Sequence, residues 1–308
     1  MRYPGNIIIK IILILLLISS LAFSIFWLWQ RQPTGQIEKE PDNKTGSEQA
    51  DLNQPIKEDI EITSPQDHAV QTTDKFLLSG KTDPNSYVVI YSNTANHVTL
   101  ADENGNFKNE IEIASKLNLI NIEVLSEKLE PKFKKTLTYY LDKTQQNQEV
   151  YTGEVKNIFD TVITITSDEQ EIAIRTNKST AIELPKTEDI PEEKGIKGIR
   201  IADFVIALGT KNKDVVAANT VQVTRGEKSQ NNREFQILKL ITNAKFNIFS
   251  AKNQNGQILE FTTTPASQIQ EGSQEAKQAD IQKEKNAIII FHTQNDQKIA
   301  DLVYLLPG

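Results

Sequence analysis

Residues 75–113, KFLLSGKTDPNSYVVIYSNTANHVTLADENGNFKNEIEI, decide the fold of this chain. Short runs rich in β-branched and aromatic residues alternate here with turn sequences, DPN at Asp83 and NGN at Asn104. Similar runs continue to residue 142, and none has the 3.6-residue periodicity of a helix. The pattern predicts an antiparallel β-sandwich over residues 60–142.

The same region resembles a known type of domain. It resembles the bacterial Ig-like modules of cell-surface proteins, including the accessory type found in glucodextranase. That resemblance implies an Ig-like β-sandwich and an extracellular setting, and it implies no activity. The segments that carry it are ITSP at 62–65, SGKTDPNSYVVIY at 79–91, ADENGNF at 101–107, LNLINIEV at 117–124 and TLTYYLD at 136–142.

One loop of the sandwich has a second reading as a calcium site. Asp102, Asn104 and Asn106 alternate like the first ligands of an EF-hand loop. The rest of that loop is missing, because Gly105 comes too early and the twelfth position is Ile113 in place of Glu. We therefore predict a hairpin whose Asn-Gly pair adopts positive φ.

The C-terminal half contains an internal repeat. At an offset of 83 residues, DFVIALGTKNKDVVAANTVQV (203–223) lies over NAIIIFHTQNDQKIADLVYLL (286–306), each an apolar strand, a polar turn and a second strand. The pattern predicts two small antiparallel β-barrel units, over residues 151–226 and 233–308, packed side by side. It places Ile206 and Ile289 at matching inward positions.

The first repeat unit, residues 151–224, resembles a small β-barrel family of exported bacterial proteins of unknown function. The resemblance implies an extracytoplasmic setting and gives no activity. Its motifs are a G-x-V start, a V-I-T-I-T strand, a T-x-I element and a G-D-x-V-like entry to the late strands, carried by Gly153, Val155, Thr180, Ile182 and residues 202–205. The entry reads ADFV here, without the glycine, and the second unit lacks it.

The N-terminus carries a membrane signal. Residues 11–29, IILILLLISSLAFSIFWLW, are uncharged and largely apolar, and residues 7–9 can lengthen the stretch. As a helix it rises roughly 1.5 Å per residue and nearly crosses a ~30 Å hydrocarbon core. We predict a transmembrane helix that contacts the lipid bilayer through residues 7–29. Representative anchor positions are Ile11, Leu15, Leu17, Trp27 and Trp29.

The residues that flank this stretch predict its orientation in the membrane and whether it is cleaved. Arg2, Lys10 and the terminal amine precede it, against Arg31 after it, which predicts a cytoplasmic N-terminus and extracytoplasmic C-terminal domains. A cleaved signal peptide is the alternative, although the bulky exit offers no small-x-small site. After the tail and anchor at 1–31, the polar segments 32–59 and 143–150 are predicted to be linkers.

Composition argues against most chemistry. The chain has no cysteine, which excludes disulfides and thiolate catalysis. His68, His97 and His292 fall in separate predicted elements, so neither a catalytic triad nor a two-histidine metal site is expected. A net charge of −7 disfavours nucleic acid as a partner. We predict no enzyme activity and no catalytic, cofactor or metal site.

Two functions remain open. The first is a non-enzymatic membrane-anchored surface protein that presents β-domains outside the cytoplasm for adhesion, scaffolding or envelope organisation. The alternative is an accessory module that binds glycan or peptidoglycan beside a separate enzyme. Both tryptophans lie in the predicted anchor. Tyrosine rings are therefore the side chains that could stack on a polysaccharide or a cell-surface protein. Tyr87 and Tyr91 share one strand face; we favour a place in the core or on the plain sheet surface for them, and they are also the candidate ligand surface.

Overall fold

The structure is a computed structural model that describes residues 60–114, 116–144, 147–167, 170–185, 195–225 and 232–307. These residues form twenty β-strands and two short 3₁₀ helices, Gly195–Gly198 and Gln278–Asp280, so the all-β prediction is confirmed. Within these ranges no helix is long and apolar enough to cross a membrane. The predicted anchor at residues 7–29 and the predicted linker at 32–59 lie outside the described residues.

The first domain is a sandwich of two sheets. One sheet has three strands in the order β1-β3-β6, and the other has five in the order β2-β8-β7-β4-β5. Alternate residues of both sheets meet in a closed core that includes Leu78, Ile90, Ile111 and Tyr139. The strands are β1 (Ile60–Ser64), β2 (Val70–Gln71), β3 (Lys75–Thr82), β4 (Tyr87–Tyr91), β5 (Asn96–Leu100), β6 (Asn106–Glu112), β7 (Lys116–Leu125) and β8 (Pro131–Leu141).

The loop between β5 and β6 differs from the predicted hairpin. Because β5 and β6 belong to different sheets, this loop crosses from one layer of the sandwich to the other. Asp102 organises the crossing, since its Oδ1 accepts the backbone N–H groups of Asn104 and Asn106, each at 2.8 Å. Gly105 adopts a φ of +81°, the positive value that the Asn-Gly pair predicted. The Asp102 carboxylate therefore binds its own loop.

The second domain is a closed ring of five strands. Its strands neighbour one another in the order β9-β10-β11-β14-β13, and β13 returns to β9. The prediction of a purely antiparallel barrel is wrong where the ring closes, because β11 runs parallel to β14 with Ala173 opposite Val215. The short β12 pairs with the other half of β14, also in parallel. The strands are β9 (Glu149–Phe159), β10 (Val162–Ser167), β11 (Gln170–Arg175), β12 (Ala181–Glu183), β13 (Phe204–Asn212) and β14 (Val215–Thr224).

The third domain repeats this ring. Strands β15, β16, β17, β20 and β19 follow one another around it, and β17 pairs with β20 in parallel along two stretches, as β11 and β12 do with β14. Equivalent hydroxyls seal both rings: Thr180 Oγ1 donates to the Ala218 carbonyl, and Ser267 Oγ donates to the Ala300 carbonyl. The strands are β15 (Arg233–Leu240), β16 (Ile248–Lys252), β17 (Ile258–Glu271), β18 (Gln274–Glu275), β19 (Asn286–Gln294) and β20 (Gln297–Leu305).

The register of the repeat differs from the predicted one. Strand β13 begins at residue 204 and β19 at residue 286, so the offset is 82 and not 83. A slip of one residue moves every side chain of a strand to the opposite face. Ile289 accordingly lies in the core of its barrel, whereas Ile206 faces the sandwich and Ala207 lies in the core. The prediction that Ile206 and Ile289 occupy matching inward positions is wrong.

Each barrel packs on the five-stranded sheet of the sandwich. Near β4, the face opposite the sandwich core meets the outer face of the second barrel, with Val89 and Leu125 packed among Ile288, Ile290 and Leu302. At the β8 end of the same sheet, a smaller apolar cluster joins the first barrel; it comprises Tyr140, Val150, Ile206 and Leu208. The sheet therefore has apolar partners on both faces.

The corrected register predicts which isoleucine matters for stability. Ile289→Ala should lower the free energy of unfolding by about 2–5 kcal/mol, because the side chain is fully buried and the truncation leaves a cavity. Equilibrium unfolding in urea measures this loss. Ile258→Ala is the matched control, since Ile258 is 63% exposed and should change stability by about 0.5 kcal/mol or less. Equal effects of the two substitutions would contradict the register.

Candidate functional site

The predicted tyrosine surface lies inside the molecule. Tyr87 and Tyr91 do share a face of β4, but the second barrel covers that face, leaving the two residues 9% and 4% exposed. The Tyr87 ring meets the edge of Tyr304, and the Tyr91 ring meets Phe235 with 5.8 Å between centroids. Neither ring is available to stack on a ligand.

The polar end of Tyr91 is also engaged. Its hydroxyl donates to Glu123 Oε1 at 2.6 Å, and Lys134 Nζ lies 2.8 Å from the same carboxylate oxygen. Burial, followed by this hydrogen bond, raises the pKa of Tyr91 far above its usual value. The tyrosine stays neutral and donates this hydrogen bond to β7, the neighbouring strand of the same sheet.

His68 joins the sandwich to the first barrel, whereas His292 pairs within the second barrel. His68 Nδ1 is 2.9 Å from the Val150 carbonyl of the first barrel, and the ring stacks on Tyr151 with 4.7 Å between centroids. His292 Nδ1 is 2.9 Å from Asp301 Oδ2, and Arg233 binds the same carboxylate. These contacts join elements of the fold.

The third histidine, His97, lies on β5 opposite Ile90. Burial lowers its pKa. The structure therefore does not bring the three histidines together. Among the residues that the structure describes, no group of three or more His, Asp or Glu side chains could hold a metal ion.

A shallow depression on the first barrel is the candidate binding site. It has a volume of about 210 Å³ and lies where the turn after Gly195–Gly198 meets the end of β14. Arg200, Asp203 and Arg225 line it together with the apolar side chains of Ile201 and Phe204.

An ion pair forms one wall of the depression. Asp203 accepts from Arg225 Nε at 2.9 Å and from Arg225 Nη2 at 3.1 Å, and it also accepts the backbone N–H of Arg200 at 2.8 Å. The Asp203 side chain is only 7% exposed. Bidentate arginine–carboxylate geometry makes this a strong pair, and it ties the turn to the barrel wall.

The charge of the depression opposes that of the chain. Its lining carries two arginines and one aspartate in a protein whose net charge is −7. The Arg200 side chain is exposed at the rim and makes no hydrogen bond or ion pair with another described residue. Beside it, Ile201 is 61% exposed. The depression can therefore hold a small anionic group attached to an apolar one.

Exposed phenylalanines mark the equivalent hairpin of both barrels. Phe159 lies beside the β9–β10 turn and is 79% exposed, and Phe246 lies within the β15–β16 turn and is 85% exposed. Single exposed apolar side chains are common on protein surfaces, so exposure alone assigns these rings no ligand.

Sequence reasoning missed both the depression and the hairpin tips. The available signals were Asp203 at the start of the late apolar strand, and a phenylalanine beside or within each two-residue turn, in NIFDTV and KFNIF.

Comparison with known proteins finds no matching family, no matching curated protein and no matching solved structure.

The ion pair predicts a stability change. Asp203→Asn should lower the free energy of unfolding by about 1–3 kcal/mol, because it leaves a half-buried guanidinium without its charged partner. Urea denaturation at neutral pH measures the loss. Glu112→Gln is the control, since it breaks an exposed ion pair with Lys75 and should cost about 1 kcal/mol or less. Asp203→Asn with no larger effect than this control would show that the pair does not hold the turn.

Proposed function

We propose that this chain is a non-enzymatic membrane-anchored surface protein that presents three β-domains outside the cytoplasm for adhesion, scaffolding or envelope organisation. The observation that carries the proposal is the docking of both barrels on one sheet of the sandwich. The cluster that joins the second barrel contains ten buried apolar residues. An apolar interface of this kind favours a fixed arrangement over domains that move independently.

The use of the reactive side chains supports a non-catalytic role. His68 contacts the first barrel from the sandwich, His292 pairs with Asp301 within the second barrel, and Tyr91 pairs with Glu123 beneath the second barrel. General acid–base catalysis needs a titrating group that faces a substrate in a pocket. These groups instead face other parts of the chain.

The sequence supports the location. The apolar stretch at residues 11–29 is long enough for a membrane anchor, and the polar segment 32–59 would lift the folded unit off the bilayer. Resemblance of residues 60–142 to Ig-like surface modules, and of residues 151–224 to exported small barrels, agrees with an extracytoplasmic setting.

The depression on the first barrel favours a second candidate function. A module that binds peptidoglycan or an acidic glycan would use Arg200 to pair with a carboxylate, with Ile201 against the apolar part of the ligand. Peptidoglycan carries carboxylates on its peptides, so this candidate corresponds to an accessory module beside a separate enzyme.

Membrane fractionation tests the first candidate. The full chain should remain with membranes during alkaline extraction, because an apolar helix resists it, and protease added outside the cell should cut within residues 32–59 and release the β-domains intact. Immunoblotting of the fractions with an antibody to the β-domains measures both outcomes. A product that is fully extracted at alkaline pH, or one protected from external protease, would contradict the proposal.

Co-sedimentation with purified peptidoglycan tests the second candidate. Arg200→Ala should weaken sedimentation about tenfold if the arginine binds a carboxylate, the loss expected for one charge-assisted hydrogen bond. Arg175→Ala is the matched control, because Arg175 is exposed on β11 of the same barrel and does not line the depression. Equal binding by both variants would leave the depression without this role.

A further inference from the structure

The tip of the β15–β16 hairpin is unfavourable for folding in two respects. We call Lys245, Phe246, Asn247 and Ile248 the second-barrel tip; Phe246 is 85% exposed and Ile248 is 41% exposed. Phe246 also has a φ of +51°, in a two-residue turn where Asn, Asp or Gly is preferred. A large side chain with positive φ is a backbone outlier. Such an outlier, combined with full exposure, points to function.

The tip is held firmly on the barrel. Lys245 and Ile248 exchange two backbone hydrogen bonds across the turn, at 2.9 and 3.0 Å. Thr263, which is 5% exposed, donates both its backbone N–H and its hydroxyl to the Asn247 carbonyl, at 2.8 and 3.3 Å. The aromatic ring is therefore presented from a fixed turn.

The first barrel has an equivalent threonine-held turn with an exposed phenylalanine beside it, but the turn carries a different charge. Thr176 donates its N–H and its hydroxyl to the Thr161 carbonyl, and Phe159 is exposed beside that turn. The turn itself carries the acidic Asp160, whereas residues 244–248, AKFNI, contain only the cation Lys245. Acidic groups resist entry into a lipid interface, while a lysine beside an aromatic ring suits one.

We propose that the second-barrel tip inserts Phe246 and Ile248 into the interfacial region of the lipid bilayer, with Lys245 at the level of the headgroups. Lys245 Nζ lies 5.4 Å from the Phe246 ring centroid, so the cation and the ring are already side by side. This inference rests on the proposed membrane anchoring of the chain.

The length of the tether argues for a bilayer as the occupant. About 30 residues separate Trp29 of the predicted anchor from Ile60 of β1. A flexible linker of that length has an end-to-end distance of about 30 Å, and a folded unit of about 250 residues has a radius of gyration of about 18 Å. With the proposed anchor in the bilayer, a weak affinity of the tip for lipid is sufficient, because the tether keeps the local concentration high.

A single cysteine tests insertion in the full chain. Because the chain has no cysteine, Asn247→Cys provides one thiol for an environment-sensitive fluorophore, and Gln254→Cys provides a matched label in the exposed loop between β16 and β17. The chain is reconstituted in vesicles of zwitterionic and anionic phospholipid, with or without quenchers on the acyl chains. We expect a blue shift and lipid quenching at position 247 and neither at position 254.

Phe246→Asn isolates the ring from the fold. Asparagine tolerates positive φ, so the turn and the unfolding temperature should be retained, while the label at position 247 should show about tenfold less lipid quenching. Phe159→Asn should leave the signal unchanged. Equal effects of the two substitutions, or a label at 247 as exposed to water as that at 254, would overturn the tip proposal. So would a blue shift that occurs only after peptidoglycan is added.

Alkaline extraction of the same vesicles separates the two proposals. A chain that stays in the membrane with a water-exposed label at 247 overturns the tip proposal alone. A chain that is extracted completely overturns the anchoring and the tip proposal together.

Discussion

Strand β4 of the sandwich is apolar on both faces, and the docking of the second barrel depends on this. All five residues of β4 are buried: Val88 and Ile90 point into the sandwich core, while Tyr87, Val89 and Tyr91 point toward the second barrel. A sheet with one wet face would alternate polar and apolar residues. This strand cannot be exposed without placing its tyrosines and valine in water, so the second barrel completes its burial.

Much of the architecture could be predicted from local patterns. Strand runs and turn residues indicated the sandwich, and the recurring strand, polar turn and strand of residues 203–223 and 286–306 indicated a repeated hairpin that the structure contains. The register of β13 could not be read because both of its faces are apolar, one toward the barrel core and one toward the sandwich. When both faces are buried, the period-2 signal disappears and a slip of one residue looks equally good.

The surface features were harder to predict, for a related reason. Shared strand geometry placed Tyr87 and Tyr91 on one face, which is correct, but a barrel about 200 residues later in the chain covers that face. The Asp203–Arg225 pair likewise joins two elements 22 residues apart. Such contacts depend on tertiary packing, which the local periodicity of the sequence does not reveal. Phe246 is the exception, because a phenylalanine inside a two-residue turn is already unusual in the sequence.

The two barrels correspond strand by strand, although the spacing between them changes along the chain. Glu154 corresponds to Lys239, Ile174 to Phe261 and Phe204 to Asn286, at offsets of 85, 87 and 82 residues. Gains and losses of residues have therefore occurred between strands, while each strand kept its partners. This is the pattern expected of an ancestral duplication whose copies diverged at their loops. The two copies share their strand pairings, whereas their loops differ in length and in residue type.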